Sequence, residues 1–325
     1  MAEPATLDDA AVVDLLPGRP ARGHKGTFGK LLVIAGSLDY AGAALLVCRA
    51  AGRAGAGLVT LAVPESLQPL FAAKVVEATT LGLPEDEVGS LDPEGALAAV
   101  LDHEHDALVV GPGLRPGLAT TEFVRRLLGA ADEGAPAPAV LDAEALRSMA
   151  TLAEWWASAR RQAVLTPHAG EFERLLAGAG MTLPDGADLV ADDAARATVT
   201  SEAAARWGAV VVLKGARTVI ADPGGEVAVA PFENPSLASG GTGDVLAGTV
   251  GGLLAQGLGP YAAARLGVYL HGLAGEAVRE RFGDSGLLAS DLPDAIAVAR
   301  RRLAGVAARR AGKGRIGFAA VGGSR

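Results

Sequence analysis

The sequence predicts an α/β protein, built as a three-layer α/β/α sandwich around a mainly parallel central sheet. Short apolar runs without polar alternation recur along the chain and are bounded by Gly, Pro or Asp, as expected for strands that are buried on both faces. Longer segments with helical spacing of apolar residues lie between these runs. That alternation of strand and helix is typical of parallel strands joined by helices.

The predicted strands are short and rich in aliphatic and β-branched residues. Six of them lie between residues 31 and 213: Leu31–Ala35, Leu58–Val63, Ala107–Val110, Ala139–Leu141, Ala163–Leu165 and Val210–Leu213. Two more, Thr218–Ala221 and Val227–Ala230, flank the turn sequence Asp222-Pro223-Gly224-Gly225. Because Pro and Gly in this order favour a tight turn, this last pair predicts a β-hairpin.

The predicted helices fall between the strands and then follow the hairpin. The interleaved ones are Ala41–Ala54, Leu118–Ala130 and Ala191–Trp207, and the three after the hairpin are roughly Thr242–Gln256, Tyr261–Arg281 and Asp291–Arg310. No repeat or change of composition divides the chain, so we expect one domain over residues 15–310. Residues 1–14 and 311–325 are expected to be disordered.

Composition narrows the classes of function. Half of the 325 residues are hydrophobic, which is enough for a large core. A formal charge of −8 argues against non-specific nucleic-acid binding. The single cysteine, Cys48, excludes an intrachain disulfide and a zinc site built on cysteines. The acidic start lacks the features of a signal peptide, and the apolar runs fall short of a span of ~20 residues. We therefore expect a cytoplasmic protein that acts on small molecules, without a membrane or nucleic-acid partner.

One glycine-rich block carries the clearest chemistry. Ser239-Gly240-Gly241-Thr242-Gly243-Asp244 opens onto an apolar helical segment. Glycines let the backbone approach a ligand, and the N–H groups of a helix start attract an anion such as phosphate. An acid beside such a cradle suggests a phosphoryl-transfer site in which Asp244 is the base that removes a hydroxyl proton. The alternative is an Asp-containing turn ahead of a core helix.

Other functional residue types follow the predicted parallel strands directly. Because ligands of doubly wound folds bind at the carboxyl ends of the strands, these residues are expected to converge on one edge of the sheet. They are Gly111-Pro112-Gly113-Leu114, Asp142, the segment Thr166-Pro167-His168-Ala169-Gly170-Glu171, and Lys214-Gly215-Ala216-Arg217-Thr218.

Several blocks together resemble the NAD(P)H-hydrate dehydratase family of the ribokinase-like superfamily, the carboxy-terminal domain of YjeF-type repair proteins. The matching blocks are HKGTFGK from His24, LDAEAL from Leu141, LTPHAGEF from Leu165, VVLKGARTVI from Val211 and NPSLASGGTGD from Asn234. The resemblance spans about Pro17 to Arg302, nearly the whole chain. Because nothing of domain size precedes Leu15, we expect this protein to lack the epimerase half that is usually fused to such domains.

The resemblance implies a ribokinase-like fold and a repair reaction. Such enzymes phosphorylate the 6-hydroxyl of the S-epimer of hydrated NADH or NADPH, with ADP expected ahead of ATP as the donor, and phosphate then leaves to restore the reduced ring. They are carbon–oxygen lyases. The family pattern implies Mg²⁺ as a cofactor, a homo-oligomer with the homotetramer as one form, and cooperation with a separate NAD(P)H-hydrate epimerase.

The same resemblance implies roles for individual residues. Asp244 is the base, and the backbone of Gly240, Gly241, Thr242 and Gly243 stabilises the transferring phosphoryl group. The substrate contacts fall on Ala43, Gly113, His168 and Asp244, and the nucleotide contacts fall on Lys214, Gly215, Ala216, Arg217, Thr218 and Gly243. Related kinases organise magnesium through an Asn-x-x-Glu motif, and His168 here replaces its Asn. Glu171 is therefore either a water-mediated Mg²⁺ residue or a first-turn helix acid favoured by the helix dipole.

Three other functions compete with this reading. A ribokinase-like kinase of a vitamin alcohol, such as a thiazole or a hydroxymethylpyrimidine, would carry a similar Gly–Asp site. A nucleotide-binding regulator without catalysis would not need Asp244. A Rossmann oxidoreductase is disfavoured, because no predicted strand leads into a Gly-x-Gly-x-x-Gly turn.

Overall fold

A ten-stranded sheet lies at the centre of the computed structural model, which describes residues 4–130 and 136–314. The strands are Ala5–Thr6 (β1), Lys30–Ile34 (β2), Leu58–Pro64 (β3), Thr79–Leu83 (β4), Glu85–Glu87 (β5), Ser90–Leu91 (β6), Ala107–Val110 (β7), Ala139–Leu141 (β8), Ala163–Leu165 (β9), Val210–Leu213 (β10), Val219–Ala221 (β11) and Val227–Val229 (β12). β5 and β6 form a separate two-stranded hairpin.

The helices within these residues lie along the chain between and after the strands. They are Asp9–Val12 (α1), Ala41–Ala54 (α2), Gln68–Ala72 (α3), Pro93–Asp102 (α4), Leu118–Gly129 (α5), Glu144–Met149 (α6), Trp155–Ser158 (α7), Ala169–Gly178 (α8), Asp193–Trp207 (α9), Thr242–Ala255 (α10), Pro260–Phe282 (α11) and Leu292–Gly314 (α12). In the part of the chain that is described, none of them is long and apolar enough to cross a bilayer.

The sheet is almost entirely parallel, which confirms the predicted fold class. Its strand order is β1-β12-β11-β10-β9-β8-β7-β2-β3-β4, and only β11 runs against its neighbours. The reversal comes from the predicted hairpin at Asp222, whose side chain accepts hydrogen bonds from the N–H groups of Gly224 and Glu226. The predicted strands and helices agree with the structure to within one or two residues at most ends.

Both faces of the sheet are buried, since successive strand side chains point to opposite sides. In β2, Leu32 and Ile34 pack on the face covered by α4, α5, α8 and α9, whereas Leu31 and Val33 pack on the face covered by α2, α10 and α11. This double burial explains why the strands carry unbroken aliphatic runs. It also leaves the strand ends as the natural location for polar chemistry.

The amino terminus corrects one expectation. Residues 5–14 are folded rather than disordered, because β1 pairs with β12 as the edge strand of the sheet, and Leu7 and Val12 are buried. Asp9 accepts hydrogen bonds from Tyr269 Oη and Arg302 Nη2, both at 2.9 Å. At the other end, α12 continues to Gly314, past the expected boundary at residue 310. The expected disorder of residues 315–325 lies outside the described residues.

Candidate active site

Four neighbouring strands deliver the candidate residues to the same edge of the sheet. β7, β8, β9 and β10 are adjacent and parallel, so their carboxyl ends lie side by side. The residues that follow them are Gly111–Leu114, Asp142, Thr166–Glu171 and Lys214–Thr218, respectively. The convergence predicted from the sequence is therefore present.

The glycine-rich block forms the start of α10 beside this edge. Gly241 caps the helix with φ 91°, a left-handed conformation that favours glycine. The loop before it is fixed by Thr242 Oγ1, which donates to the carbonyls of Leu237 and Ser239 at 2.7 and 2.9 Å. The first N–H groups of a helix have no partner within the helix. This rigid turn therefore offers N–H donors and the positive end of a helix dipole to an anion.

A lysine and three carboxylates meet at this position. Nζ of Lys214 lies 2.8 Å from Oδ1 of Asp142 and 3.7 Å from Oε2 of Glu171. The Asp142 side chain is only 2% exposed, so this ion pair is inside the protein. A Cβ built on Gly243 would lie 3.4 Å from Nζ of Lys214 and 4.0 Å from Oδ2 of Asp142. A methyl group at position 243 would therefore reach van der Waals contact with the ion pair, which places the start of α10 directly beside it.

Asp244 is held in a state close to half-ionised at neutral pH. Burial raises its pKa from 3.8 to about 7, and the charge of Asp142 adds to the rise, while Lys214 opposes it. A group with a pKa near the working pH is suited to general base catalysis, since it can both accept and release a proton. Asp244 therefore has a pKa that suits a base, and its role as the base stays a prediction.

Lys214 stays charged despite its surroundings. Burial by itself lowers the pKa of its ammonium, but the attraction of Asp142 and Glu171 outweighs that effect, so the pKa is raised above its usual value. A cation beside a phosphate cradle is suited to neutralise a bound polyphosphate.

A cavity of about 420 Å³ opens next to this cluster. Its walls include five of the six residues predicted for the nucleotide, namely Lys214, Gly215, Ala216, Thr218 and Gly243. Most of the other walls are apolar or aromatic: Ala230, Phe232, Pro235, Leu237, Ala238, Leu246 and Val268. An apolar slot that ends at a lysine and a helix start suits a planar base attached to phosphates.

Arg217 differs from its four neighbours, because its side chain is not part of that cavity wall. Its Nε lies 2.7 Å from Oδ2 of Asp193, at the start of α9. Its backbone N–H donates to the carbonyl of Phe232 at 2.8 Å, and its φ of 51° is left-handed. Arg217 therefore contributes to the shape of the turn, and a direct nucleotide contact by its guanidinium stays a prediction.

The two small residues predicted for the substrate touch each other. A Cβ built on Gly113 would lie 2.9 Å from Cβ of Ala43 and 2.7 Å from the carbonyl oxygen of Tyr40. One turn farther along α2, Leu46 packs against the glycine block, since a Cβ on Gly241 would lie 2.7 Å from its Cδ1. Ala43 and Gly113 are therefore packed together, one turn of α2 from the residue that contacts the glycine block.

His168 and Glu171 form a capping box at the start of α8. Nδ1 of His168 accepts from the N–H of Gly170 at 3.1 Å, and Oε2 of Glu171 accepts from the N–H of His168 at 2.9 Å. Because Nδ1 is an acceptor here, the ring proton of neutral His168 sits on Nε2. The His168 side chain is 56% exposed. The structure therefore realises the helix-acid role of Glu171 and leaves Nε2 of His168 able to donate to a ligand.

Sequence reasoning left some of the site without a role. Asp142 was identified only as an acid at a strand end, although it is the partner that holds Lys214. His271 on α11 donates from Nε2 to the carbonyl of Thr242 at 2.9 Å, and burial lowers its pKa to about 4, so it is a neutral packing histidine. Arg196 on α9 was missed, since a helical arginine usually lies at the surface.

Comparison with known proteins gives a consistent result. A family profile described as NAD(P)H-hydrate dehydratase matches residues 31–297. The bifunctional NAD(P)H-hydrate repair enzyme of Moorella thermoacetica is 43% identical over 89% of this chain and 52% of its own length. The ADP-dependent (S)-NAD(P)H-hydrate dehydratase of Neisseria meningitidis is 38% identical over 86% of this chain and 88% of its own length. The chain thus spans about half the length of the bifunctional relatives it matches.

Solved structures agree with the fold. The ADP/ATP-dependent NAD(P)H-hydrate dehydratase of Bacillus subtilis, co-crystallised with ATP and Mg²⁺, superposes with a TM-score of 0.76 at 32% identity, over 93% of this chain and all of the other. A hydroxyethylthiazole kinase from Pyrococcus horikoshii superposes with a TM-score of 0.55 at 17% identity, over 84% of this chain and 89% of the other, which supports the ribokinase-like fold alone.

Proposed function

Because this chain belongs to the NAD(P)H-hydrate dehydratase family, we propose that it repairs the S-epimer of hydrated NADH or NADPH in a nucleotide-dependent dehydration. ADP is the donor we favour, with ATP as the alternative. The observation that carries the proposal is Asp244, a carboxylate with a pKa of about 7 at a helix start that is built to receive phosphate.

Asp244 is the base in this scheme. It accepts the proton of the 6-hydroxyl as the oxygen attacks the terminal phosphorus of the nucleotide, and the bond from that phosphorus to the nucleotide breaks. The ring nitrogen then expels phosphate from C6, and loss of a proton from the adjacent ring carbon restores the reduced nicotinamide. The net result is one phosphate, and AMP from ADP or ADP from ATP, for each molecule repaired.

Stabilisation of the transferring phosphoryl group falls to the start of α10. The N–H groups of Gly240, Gly241, Thr242 and Gly243 are the donors we assign to it, because preorganised donors need no rearrangement during reaction. Loss of one such donor typically costs about 3 kcal/mol of barrier. The tightness of the Gly241 position supports this role, since a Cβ there would have to displace Leu46, and at Gly243 a Cβ would already reach van der Waals contact with Lys214.

The nucleotide is assigned to the 420 Å³ cavity. Its phosphates would meet Lys214 and the backbone of Gly215, Ala216 and Thr218, and its base would lie against the apolar walls. The hydrated dinucleotide would approach from the side of Ala43 and Gly113. Their small size suits a flat ring, and Nε2 of the exposed His168, which lies 3.6 Å from Oε1 of Glu171, would donate a hydrogen bond to it.

Magnesium is part of the proposal, and the residues present would hold it through water and phosphate. Within the described residues no group of three or more His, Cys, Asp or Glu side chains is arranged to hold a metal directly. Mg²⁺ commonly keeps several waters and binds through phosphates with few carboxylates, which this oxygen-rich edge allows. When bound, the ion would neutralise phosphate charge, and Glu171 would contact it through water while it caps α8.

We further propose a cytoplasmic homo-oligomer, with a homotetramer as one form. An enzyme that accepts only the S-epimer needs a supply of that epimer. A separate NAD(P)H-hydrate epimerase is therefore the functional partner that we propose.

The experiment that tests the proposal offers the purified protein two kinds of acceptor in the presence of Mg²⁺ and ADP or ATP. With hydrated NADH or NADPH we expect the near-ultraviolet absorbance of reduced nicotinamide to return, with one phosphate released per molecule. A thiazole or pyrimidine alcohol lacks the nitrogen that expels phosphate, so a kinase would accumulate a stable phosphate ester. Formation of that ester without return of absorbance would refute the dehydratase in favour of a vitamin kinase.

A further inference from the structure

We infer that Arg196 is a positioning residue for nucleotide binding. It holds the backbone of the turn at residues 214–218 without lining the cavity. The inference rests on the proposed nucleotide site in the cavity beside that turn. Arg196 lies in the first turn of α9 and is 1% exposed, although it carries a guanidinium. It is not among the residues that line the cavity, so it would act through the turn and not on the nucleotide.

The contacts of Arg196 are directed at the backbone of the turn. Nη1 donates to the carbonyl of Ala216, and Nη2 donates to the carbonyl of Leu213 at 3.3 Å. Gly215 permits this approach, because a Cβ there would lie 2.9 Å from Nη2 and its φ of 146° is one that side chains rarely adopt. A planar fork of donors can reach two carbonyls at once, which a lysine cannot do.

Two other polar groups of the turn also have partners within the protein. Oγ1 of Thr218 donates to the carbonyl of Gly215 at 2.9 Å, and the N–H of Lys214 donates to the carbonyl of Pro167 at 2.8 Å. Arg196 therefore holds the carbonyls of Leu213 and Ala216, which lie on either side of Lys214 and Gly215. Without it, both carbonyls would lose a charged donor, and the backbone between them would be less constrained.

Asp193 links this support to the neighbouring arginine. Its Oδ1 lies 3.4 Å from Nη1 of Arg196, and its Oδ2 lies 2.7 Å from Nε of Arg217. Burial lowers the pKa of the Arg196 guanidinium, and the charge of Asp193 opposes that effect. A charged group is kept in this buried position at a cost that ordinary helix packing does not require. Support of the nucleotide turn would explain why a charged arginine occupies this buried position.

The test compares Arg196→Met with Arg161→Met in the full-length protein. Arg161 is a matched control, because it is 4% exposed and donates to two backbone carbonyls, those of Leu127 and Ala137, at the opposite edge of the sheet. We expect Arg196→Met to raise the nucleotide KM by about tenfold or more, while kcat and the KM for the hydrated dinucleotide change by less than about threefold. Arg161→Met should leave all three within about twofold.

Two further measurements keep the inference testable. If Arg196→Met does not fold, Arg196→Lys retains the charge but not the fork, and it should still weaken ADP binding in calorimetry. Amide hydrogen exchange of residues 214–218 should be faster in the Arg196 variant and unchanged in Arg161→Met. Wild-type ADP affinity and wild-type exchange in a folded Arg196 variant would overturn the inference alone. A wild-type protein that binds neither ADP nor ATP would overturn the nucleotide site with it.

Discussion

Asp244→Asn is expected to stabilise the protein at neutral and alkaline pH. The unfolded chain loses the Asp244 proton near pH 3.8, whereas the folded protein keeps it until about pH 7. Between these values the folded state binds more protons, so the free energy of unfolding falls as pH rises. An asparagine carries no charge and therefore no such penalty. The free energy of unfolding of the variant should exceed that of the wild type by a growing amount across this pH window.

The size of that gain follows from the pKa change. Each pKa unit corresponds to about 1.4 kcal/mol, so linkage gives a difference in unfolding free energy of about 4 kcal/mol at pH 8 and about 1.5 kcal/mol at pH 5. Both values already include the attraction between Lys214 and Asp244, because the Lys214 charge is one of the influences that set the Asp244 pKa. The ion pair with Asp142 at 2.8 Å remains and keeps Lys214 in place.

Urea unfolding at the two pH values measures this directly. We expect the stability gap between Asp244→Asn and wild type to widen from pH 5 to pH 8 and then level off. Asp185→Asn, a change of the same chemistry at an exposed loop position, should show no widening gap. A gap that is equal at both pH values, or an asparagine variant that is less stable at pH 8, would show that Asp244 is not held at a raised pKa.

Three further predictions concern activity. Lys214→Ala and Thr218→Ala should raise the nucleotide KM more than they lower kcat, because both residues belong to the wall of the nucleotide cavity. If calorimetry showed unchanged ADP affinity for both variants, the nucleotide would not bind in this cavity. Gly243→Val should weaken activity more than either, since its branched side chain would enter the space between Lys214 and the phosphates; steady-state kinetics equal to wild type would contradict this. In the wild type, kcat/KM should rise with pH through about 7 as Asp244 loses its proton. Asp142→Asn should shift that rise to lower pH, because the Asp142 charge raises the Asp244 pKa. A pH profile without that shift would exclude the coupling between the two carboxylates.

The sequence predicted the parts of this fold that depend on local patterns. Strands such as β7 and β10 are buried on both faces and therefore carry unbroken aliphatic runs that are visible without a structure. The convergence of Gly113, His168 and Lys214 followed from the same reasoning, since parallel strands end at one edge. The family resemblance then supplied roles that patterns alone do not give, such as those of Ala43 and Gly113.

Other features depend on contacts between distant residues and were not predictable in this way. The start of the chain is acidic and looks disordered, yet Asp9 is neutralised by Arg302, which lies 293 positions away. Asp142 acquires its role only when Lys214, 72 positions along, meets it at the sheet edge. Arg196 follows the helical pattern of a surface residue and becomes significant only because the turn at Gly215 folds back over it.

The central claim is that Asp244 is the base of a nucleotide-dependent repair of hydrated NADH or NADPH. The most direct measurement mixes hydrated NADH or NADPH, ADP and Mg²⁺ with wild type or Asp244→Asn, and follows reduced-nicotinamide absorbance together with phosphate and AMP. Wild type should return the absorbance with one phosphate and one AMP per molecule. The variant should bind both ligands in calorimetry but give no return, because an amide cannot accept the hydroxyl proton. A kcat near that of wild type in Asp244→Asn would contradict the account.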